Sequence, residues 1–200
     1  MKIGVTTTIR EIYKNQFEYS IDQRLIKFLN KSFLKPDIRI IFDDKINLKK
    51  FDLLIISGGN DLNHLKKSKR NILREKLDKN IITKSIKSNI PLLGICYGAQ
   101  LISSYYGNKI IKQKGRNNKK NQIKFKKSDF FNVKSMTIKS FYNFAIKIDK
   151  NILEVLATSK NNCIEAFKIK KEKIYGIMWH PERDRSFKQL NKKFFKKICS

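Results

Sequence analysis

Leu92-Leu93-Gly94-Ile95-Cys96-Tyr97-Gly98-Ala99-Gln100 decides how this chain is read. An apolar run, Ile90-Pro91-Leu92-Leu93, leads into a Gly-X-Cys-X-Gly turn, and a second apolar run follows from Leu101 to Tyr106. Buried strand, sharp turn and helix make up the pattern of a nucleophile elbow, with a thiol where a hydroxyl is more familiar. Glycines flank the cysteine because the turn is tight and a Cβ on either would clash. The turn also places Cys96 at a helix N-terminus, where backbone N–H groups and the helix dipole favour a thiolate. Cys96 is therefore the candidate nucleophile.

Outward from the elbow, strands and helices alternate. Residues 2–7 read as a first strand. Ser20 is the expected cap of a helix reaching about Lys31, with Ile21, Leu25, Phe28 and Leu29 on one face. Residues 38–42 form a second strand, and residues 51–57 form a continuous apolar run suited to a central parallel strand. A lysine-rich helix is predicted over residues 66–87, with Ile72, Leu73, Leu77 and Ile81 as its apolar side. The elbow then supplies strand 90–95 and helix 97–106. Beyond Asn108, short runs around Ile110, Ile123–Phe125, Met136–Ile138 and Cys163–Phe167 predict antiparallel or mixed strands at one side of the sheet. Residues 114–121 read as a mobile loop, 173–179 as a buried strand and 187–199 as a closing helix. The expected fold class is α/β, a central, mostly parallel sheet flanked by helices on both faces. The 200 residues are expected to form a single domain.

Composition narrows the function. Hydrophobic residues make up 40% of the chain, enough for a core. No run approaches the roughly 18 apolar residues of a membrane helix, and residues 1–8 read as a strand rather than a signal peptide. The three cysteines match no zinc spacing, so a cytoplasmic protein with free thiols and no metal or cofactor is expected. Cys163 and Cys199 read as structural. The net charge of +28 raises the question of nucleic acid. Its excess is almost all lysine, scattered along a chain rich in Ile and Asn, which points to coding bias first and an anionic small molecule second.

A cysteine nucleophile needs a base, and the base needs an orienting group. His180 follows a buried strand, at the kind of strand end where α/β sheets carry their sites. Glu182 follows across Pro181 and can fix the imidazole tautomer. His64 lies in a polar loop with no acid at that spacing and reads as solvated. An oxyanion needs two donors. The backbone N–H of Tyr97, after the nucleophile, is one, and Gly59 in the strand-ending turn Ser57-Gly58-Gly59-Asn60-Asp61 is the other.

Ser57-Gly58-Gly59, the Cys96 elbow and Trp179-His180-Pro181-Glu182 together resemble the class I glutamine amidotransferases, in the family's order and over most of the chain. The resemblance implies a Cys96-His180-Glu182 triad, with Gly59 and Tyr97 donating to the oxyanion and Gln100 helping to hold a glutamyl group. Within the family the chain looks most like the stand-alone γ-glutamyl hydrolases, on Trp179 and the block Ser140-Phe141-Tyr142-Asn143-Phe144-Ala145-Ile146. By that resemblance Asn60, Ser140, Phe141 and Tyr142 are expected to contact a small-molecule γ-glutamyl substrate. Lys112, Lys114, Arg116, Lys119 and Lys120 are candidates to attract an anionic, phosphate-bearing leaving group. Competing readings are a glutaminase subunit serving a separate synthase partner, a basic nucleic-acid-binding protein, and a cysteine α/β-hydrolase. In the last of these the acid usually precedes the histidine by a long gap.

Overall fold

A computed structural model describes residues 1–43, 45–113, 117–147, 151–183 and 188–199. Its elements in chain order are β1 (Lys2–Thr6), β2 (Thr8–Tyr13), β3 (Gln16–Ser20), α1 (Gln23–Ser32), β4 (Asp37–Ile41), β5 (Leu53–Ile56), α2 (Lys69–Ser88), β6 (Leu92–Ile95) and α3 (Tyr97–Tyr105). There follow β7 (Ile110–Lys112), β8 (Lys120–Phe125), β9 (Ser135–Lys139), β10 (Phe144–Ile146), β11 (Leu153–Ser159), β12 (Cys163–Ile169), β13 (Ile174–Ile177) and α4 (Lys188–Ile198).

The main sheet runs β4-β1-β5-β6-β13-β12-β11-β8-β9, with β10 and β7 branching from β12. The first five strands are parallel neighbours, and the rest pair antiparallel. β5 and β6 are buried at every residue, as parallel strands covered on both faces must be. The crossover from β1 through α1 runs to β4, while that from β5 through α2 runs the other way, to β6. Right-handed crossovers in opposite directions put their helices on opposite faces. α1 meets α4 and α2 meets α3, and α3 lies over β5, β6 and β13. The α/β architecture, with its antiparallel extension after Asn108, matches the expectation.

Three local readings need correction. Residues 8–20 form a hairpin, β2–β3, that sequence reasoning left without an element. α1 is capped by Asp22 rather than Ser20: the Asp22 carboxylate accepts from Arg24 N–H at 2.9 Å, and Ser20 closes β3. In α2 the predicted apolar side is rotated. Ile72 and Leu73 are 53% and 37% exposed, whereas Arg74 and Asp78 are fully buried beside Leu77, Ile81 and Ile82. Part of the expected loop, Lys114 to Arg116, lies outside the described residues, as does Phe187 of the closing helix. Among the described residues no helix is long and apolar enough to cross a membrane.

Candidate active site

Register brings the site together. Ile56 pairs with Gly94, Gly176 also pairs with Gly94, and Ile177 pairs with Ile95. The carboxyl ends of β5, β6 and β13 therefore finish level, and Ser57, Cys96 and Met178 leave the sheet side by side. His180 stands two residues further on.

Cys96 occupies φ 52°, ψ −102°, a conformation that an L side chain rarely adopts. Strain of this kind costs on the order of 1–3 kcal/mol and persists only where its surroundings enforce it. Here Cys96 N–H donates to Ile177 O at 2.8 Å and Cys96 O accepts from Gln100 N–H at 3.0 Å. The glycines permit the corner. A Cβ on Gly94 would run into the Gly98 carbonyl, and one on Gly98 into the Ile56 carbonyl. Cys96 is 7% exposed.

His180 and Glu182 are buried together, with Nδ1 2.6 Å from Glu182 Oε1. That contact leaves Nε2 on the side of Gly58 and Cys96: a Cβ on Gly58 would stand 3.3 Å from Nε2 and 3.5 Å from Cys96 Cβ. Trp179 anchors the turn by donating its indole N–H to Asn191 Oδ1 at 3.0 Å. The Phe141 ring stands edge-on to the imidazole at 5.7 Å, and the Arg183 guanidinium lies 4.9 Å over that same ring.

Burial works to lower the His180 pKa, but the Cys96 charge and hydrogen bond, with Glu182, raise it to about 9. Imidazolium is thus kept through neutral pH and lost as pH rises past about 9. An acid at this position should give kcat/KM an alkaline limb near 9. Glu182→Gln removes one of the raising groups and should move the limb to lower pH, and a limb that stays in place would detach Glu182 from the histidine. The stability sign is the same. The contribution is complete below the ordinary 6.5 and disappears as pH climbs through about 9, which thermal melts across that window would register.

Behind the nucleophile lies a buried polar hub. Arg74 donates to Ser57 O at 2.8 Å, to Ser57 Oγ at 3.2 Å and to Thr6 Oγ1 at 3.3 Å, and it pairs with Asp78. Its guanidinium sits 4.7 Å over the Tyr97 ring. Burial, then the Asp78 charge, push the Tyr97 hydroxyl well above its ordinary pKa, so it stays protonated. One side chain thereby joins the ends of β1 and β5 to the first residue of α3.

In front of the site a cavity of about 470 Å³ opens between Thr8–Arg10, the start of α1, Ser57–Asp61 and His180. Arg10, Arg24, Arg70 and Arg183 line it.

His180 and Glu182 are in contact, and Cys96 stands on the other side of Gly58, on the same sheet edge. Gly58 and Gly59 both line the cavity, and Gly58 is the one packed against His180 and Cys96. Tyr97 directs its ring inward, so only its backbone can face the site. Gln100 is buried and donates to Phe144 O at 2.9 Å, which fixes the 140s segment over the elbow. Phe141 reaches His180, but three expected substrate contacts are engaged elsewhere. Ser140 is fully buried and accepts from Asn121 Nδ2 at 2.8 Å, and the Tyr142 hydroxyl donates to the buried Glu165 carboxylate. Asn60 lines the cavity, yet its amide clamps both backbone groups of Ile9, at 3.0 and 2.9 Å, like an extra strand. His64 is exposed, as expected. The basic residues sought near the site also need correction. Lys112, Lys119 and Lys120 do not line the cavity, while Lys114 and Arg116 fall outside the described residues. The cavity arginines were missed. None of the three cysteines is in a disulfide, and no metal-binding cluster of His, Cys, Asp and Glu occurs among the described residues.

This fold and this sheet edge define a class, and the family signature "Glutamine amidotransferase class-I" matches residues 11–198. The chain belongs to the class I glutamine amidotransferase family. It is 36% identical over 179 residues to γ-glutamyl-CDP-amidate hydrolase of Campylobacter jejuni, covering 86% of each chain. To the glutamine-hydrolyzing GMP synthase subunit of Methanococcus vannielii it is 33% identical over 150 residues, covering 73% of this chain and 72% of that one. Among solved structures, a putative GMP synthase subunit from Thermoplasma acidophilum superposes with a TM-score of 0.75 at 22% identity, covering 100% of this chain and 94% of that one.

Proposed function

We propose that this protein hydrolyses a γ-glutamyl amide, with Cys96 as nucleophile, His180 as acid and base and Glu182 as its orienting partner. The observation that carries the reading is the buried His180–Glu182 contact at 2.6 Å on the same sheet edge as the strained Cys96. The thiolate attacks the γ-carbonyl carbon, and the oxyanion is held by the N–H groups of Gly59 and Tyr97. As the C–N bond breaks, His180 passes its proton to the leaving nitrogen. A glutamyl thioester remains. His180 then takes a proton from water, which attacks the thioester and frees glutamate and the thiol. Gln100 and Phe141 border the glutamyl group. Neither a metal nor a cofactor enters this scheme.

The substrate proposed is γ-glutamyl-CDP-amidate, releasing glutamate and cytidine diphosphoramidate. Support comes from the match over 86% of the C. jejuni hydrolase and from the arginines of the cavity. A second reading, a glutaminase subunit that serves a synthase, is favoured by the match to the M. vannielii GMP synthase subunit. Mass spectrometry of the products from γ-glutamyl-CDP-amidate, γ-glutamyl-γ-aminobutyrate and glutamine separates the two. The first substrate should be consumed fastest by the isolated chain. Glutamine turnover that appears only with a synthase present would replace the first reading with the second.

A further inference from the structure

The cavity beside His180 lies where the strand order reverses. β1 and β5 are neighbours, but their crossovers run in opposite directions, to β4 and to β6. A crevice opens beyond the carboxyl ends of two such strands, and ligands of α/β sheets bind there. Thr8, Ile9 and Arg10 follow β1, and Ser57 to Asp61 follow β5, so the cavity occupies that crevice. His180 lines it directly, and Gly58, also in its wall, packs against both His180 and Cys96. A Cβ on Gly58 would stand 2.6 Å from His180 Cε1 and 3.5 Å from Cys96 Cβ. The histidine that would protonate the leaving nitrogen therefore borders the cavity, which has room for a group carried by that nitrogen.

The charges are sorted. Asp22 is held between Arg24 at 2.9 Å and Arg183 at 3.3 Å. Burial works to raise its pKa, but the hydrogen bonds and charges of those arginines bring it down to about 2. Glu182 is engaged by His180, and Asp61 faces Lys66 at 3.8 Å. Among the described residues no carboxylate pairs with Arg10 or Arg70, both of which line the cavity. The residue type matters as well. The chain holds 45 basic residues but only eight arginines, at 10, 24, 39, 70, 74, 116, 183 and 185. Four of the eight line this one cavity. A guanidinium fork matches phosphate oxygens in pairs, which an ammonium cannot do.

We infer that this cavity is the subsite for the group leaving with the amide nitrogen, and that Arg10 and Arg70 bind a diphosphate within it. The inference rests on the γ-glutamyl hydrolase reading and specifies the class of its leaving group. Arg24 and Arg183, held by Asp22, line the same wall.

The test is calorimetric titration of the full chain with CDP at constant salt. Wild type should bind, and the double variant R10A/R70A should bind at least about tenfold more weakly, as expected for loss of charge-assisted hydrogen bonds. K49A/K50A removes the same charge from an exposed turn outside the cavity and should leave Kd within about twofold. Cytidine, which lacks the diphosphate, should not displace CDP. Absence of CDP binding, equal affinity in R10A/R70A, equal weakening in both double variants, or efficient competition by cytidine would each overturn the inference. A parallel assay with γ-glutamyl-CDP-amidate separates the two levels. Arginine-dependent CDP binding without hydrolysis of the amidate retains the subsite and removes the substrate reading. Hydrolysis with arginine-independent CDP binding retains the substrate reading and removes the subsite.

Discussion

Cys96→Ala is expected to lower kcat on γ-glutamyl amides by about four orders of magnitude or more, with binding retained. The thiol is the atom that forms the intermediate, so nothing else at the sheet edge can replace it. Glu182→Gln should cost less, because it orients a base rather than forming a bond. Cys96→Gly adds a test of how the site is built. The side chain at position 96 is held at φ 52° only by the elbow, and an alanine inherits that strain. Glycine accepts the conformation without a Cβ penalty, although it gains freedom in the unfolded chain. Cys96→Gly should therefore be inactive and yet more stable than Cys96→Ala by about 1 kcal/mol, measured by denaturant unfolding. Equal stabilities would mean that the corner is not strained. Retained turnover in either variant would remove the covalent mechanism.

The elbow was legible because three constraints coincide on it. An apolar strand, flanking glycines and a cysteine at one spacing leave few other structures. His180 was legible because a buried strand leads into it and Glu182 follows within reach. The hairpin at residues 8–20 was not. Its β3 has no buried residue, and Ile12, Tyr13 and Tyr19 are about half exposed or more, so no alternation marks its faces. Its docking depends on Asn60, a side chain far along the chain that imitates a strand's backbone. α2 was misread for a related reason. Periodicity arguments assign apolar residues to the core, but this helix buries an ion pair because Arg74 has work among the strand ends. The cavity arginines carried a signal that total charge concealed. The net charge of +28 pools arginine with the scattered lysines, whereas four of the eight arginines line one cavity at the end of the sheet.

Arg74 carries the second large effect. Arg74→Met should destabilise the fold by about 3–5 kcal/mol, because it leaves the buried Asp78 charge without its partner. That loss by itself would show only that the pair is structural. Replacing both members, Arg74→Met with Asp78→Leu, removes the orphaned charge and should restore much of the stability, since an apolar pair of similar volume is often as stable as a buried ion pair. Activity should not return with it. Arg74 also holds Ser57 O at 2.8 Å and lies against the Tyr97 ring at 4.7 Å; Ser57 stands two residues before Gly59, one proposed oxyanion donor, and Tyr97 is the other. Without the guanidinium the donors lose their common reference. Misplacement on the scale of an ångström costs about 100-fold in rate. The double variant should thus melt near the wild type while kcat stays about 100-fold low and KM moves little. Arg74→Lys should keep the charge but not the fork, and it should recover part of the stability and little of the rate. Full activity in a refolded double variant would reduce Arg74 to a packing role and leave the oxyanion loop to its own backbone.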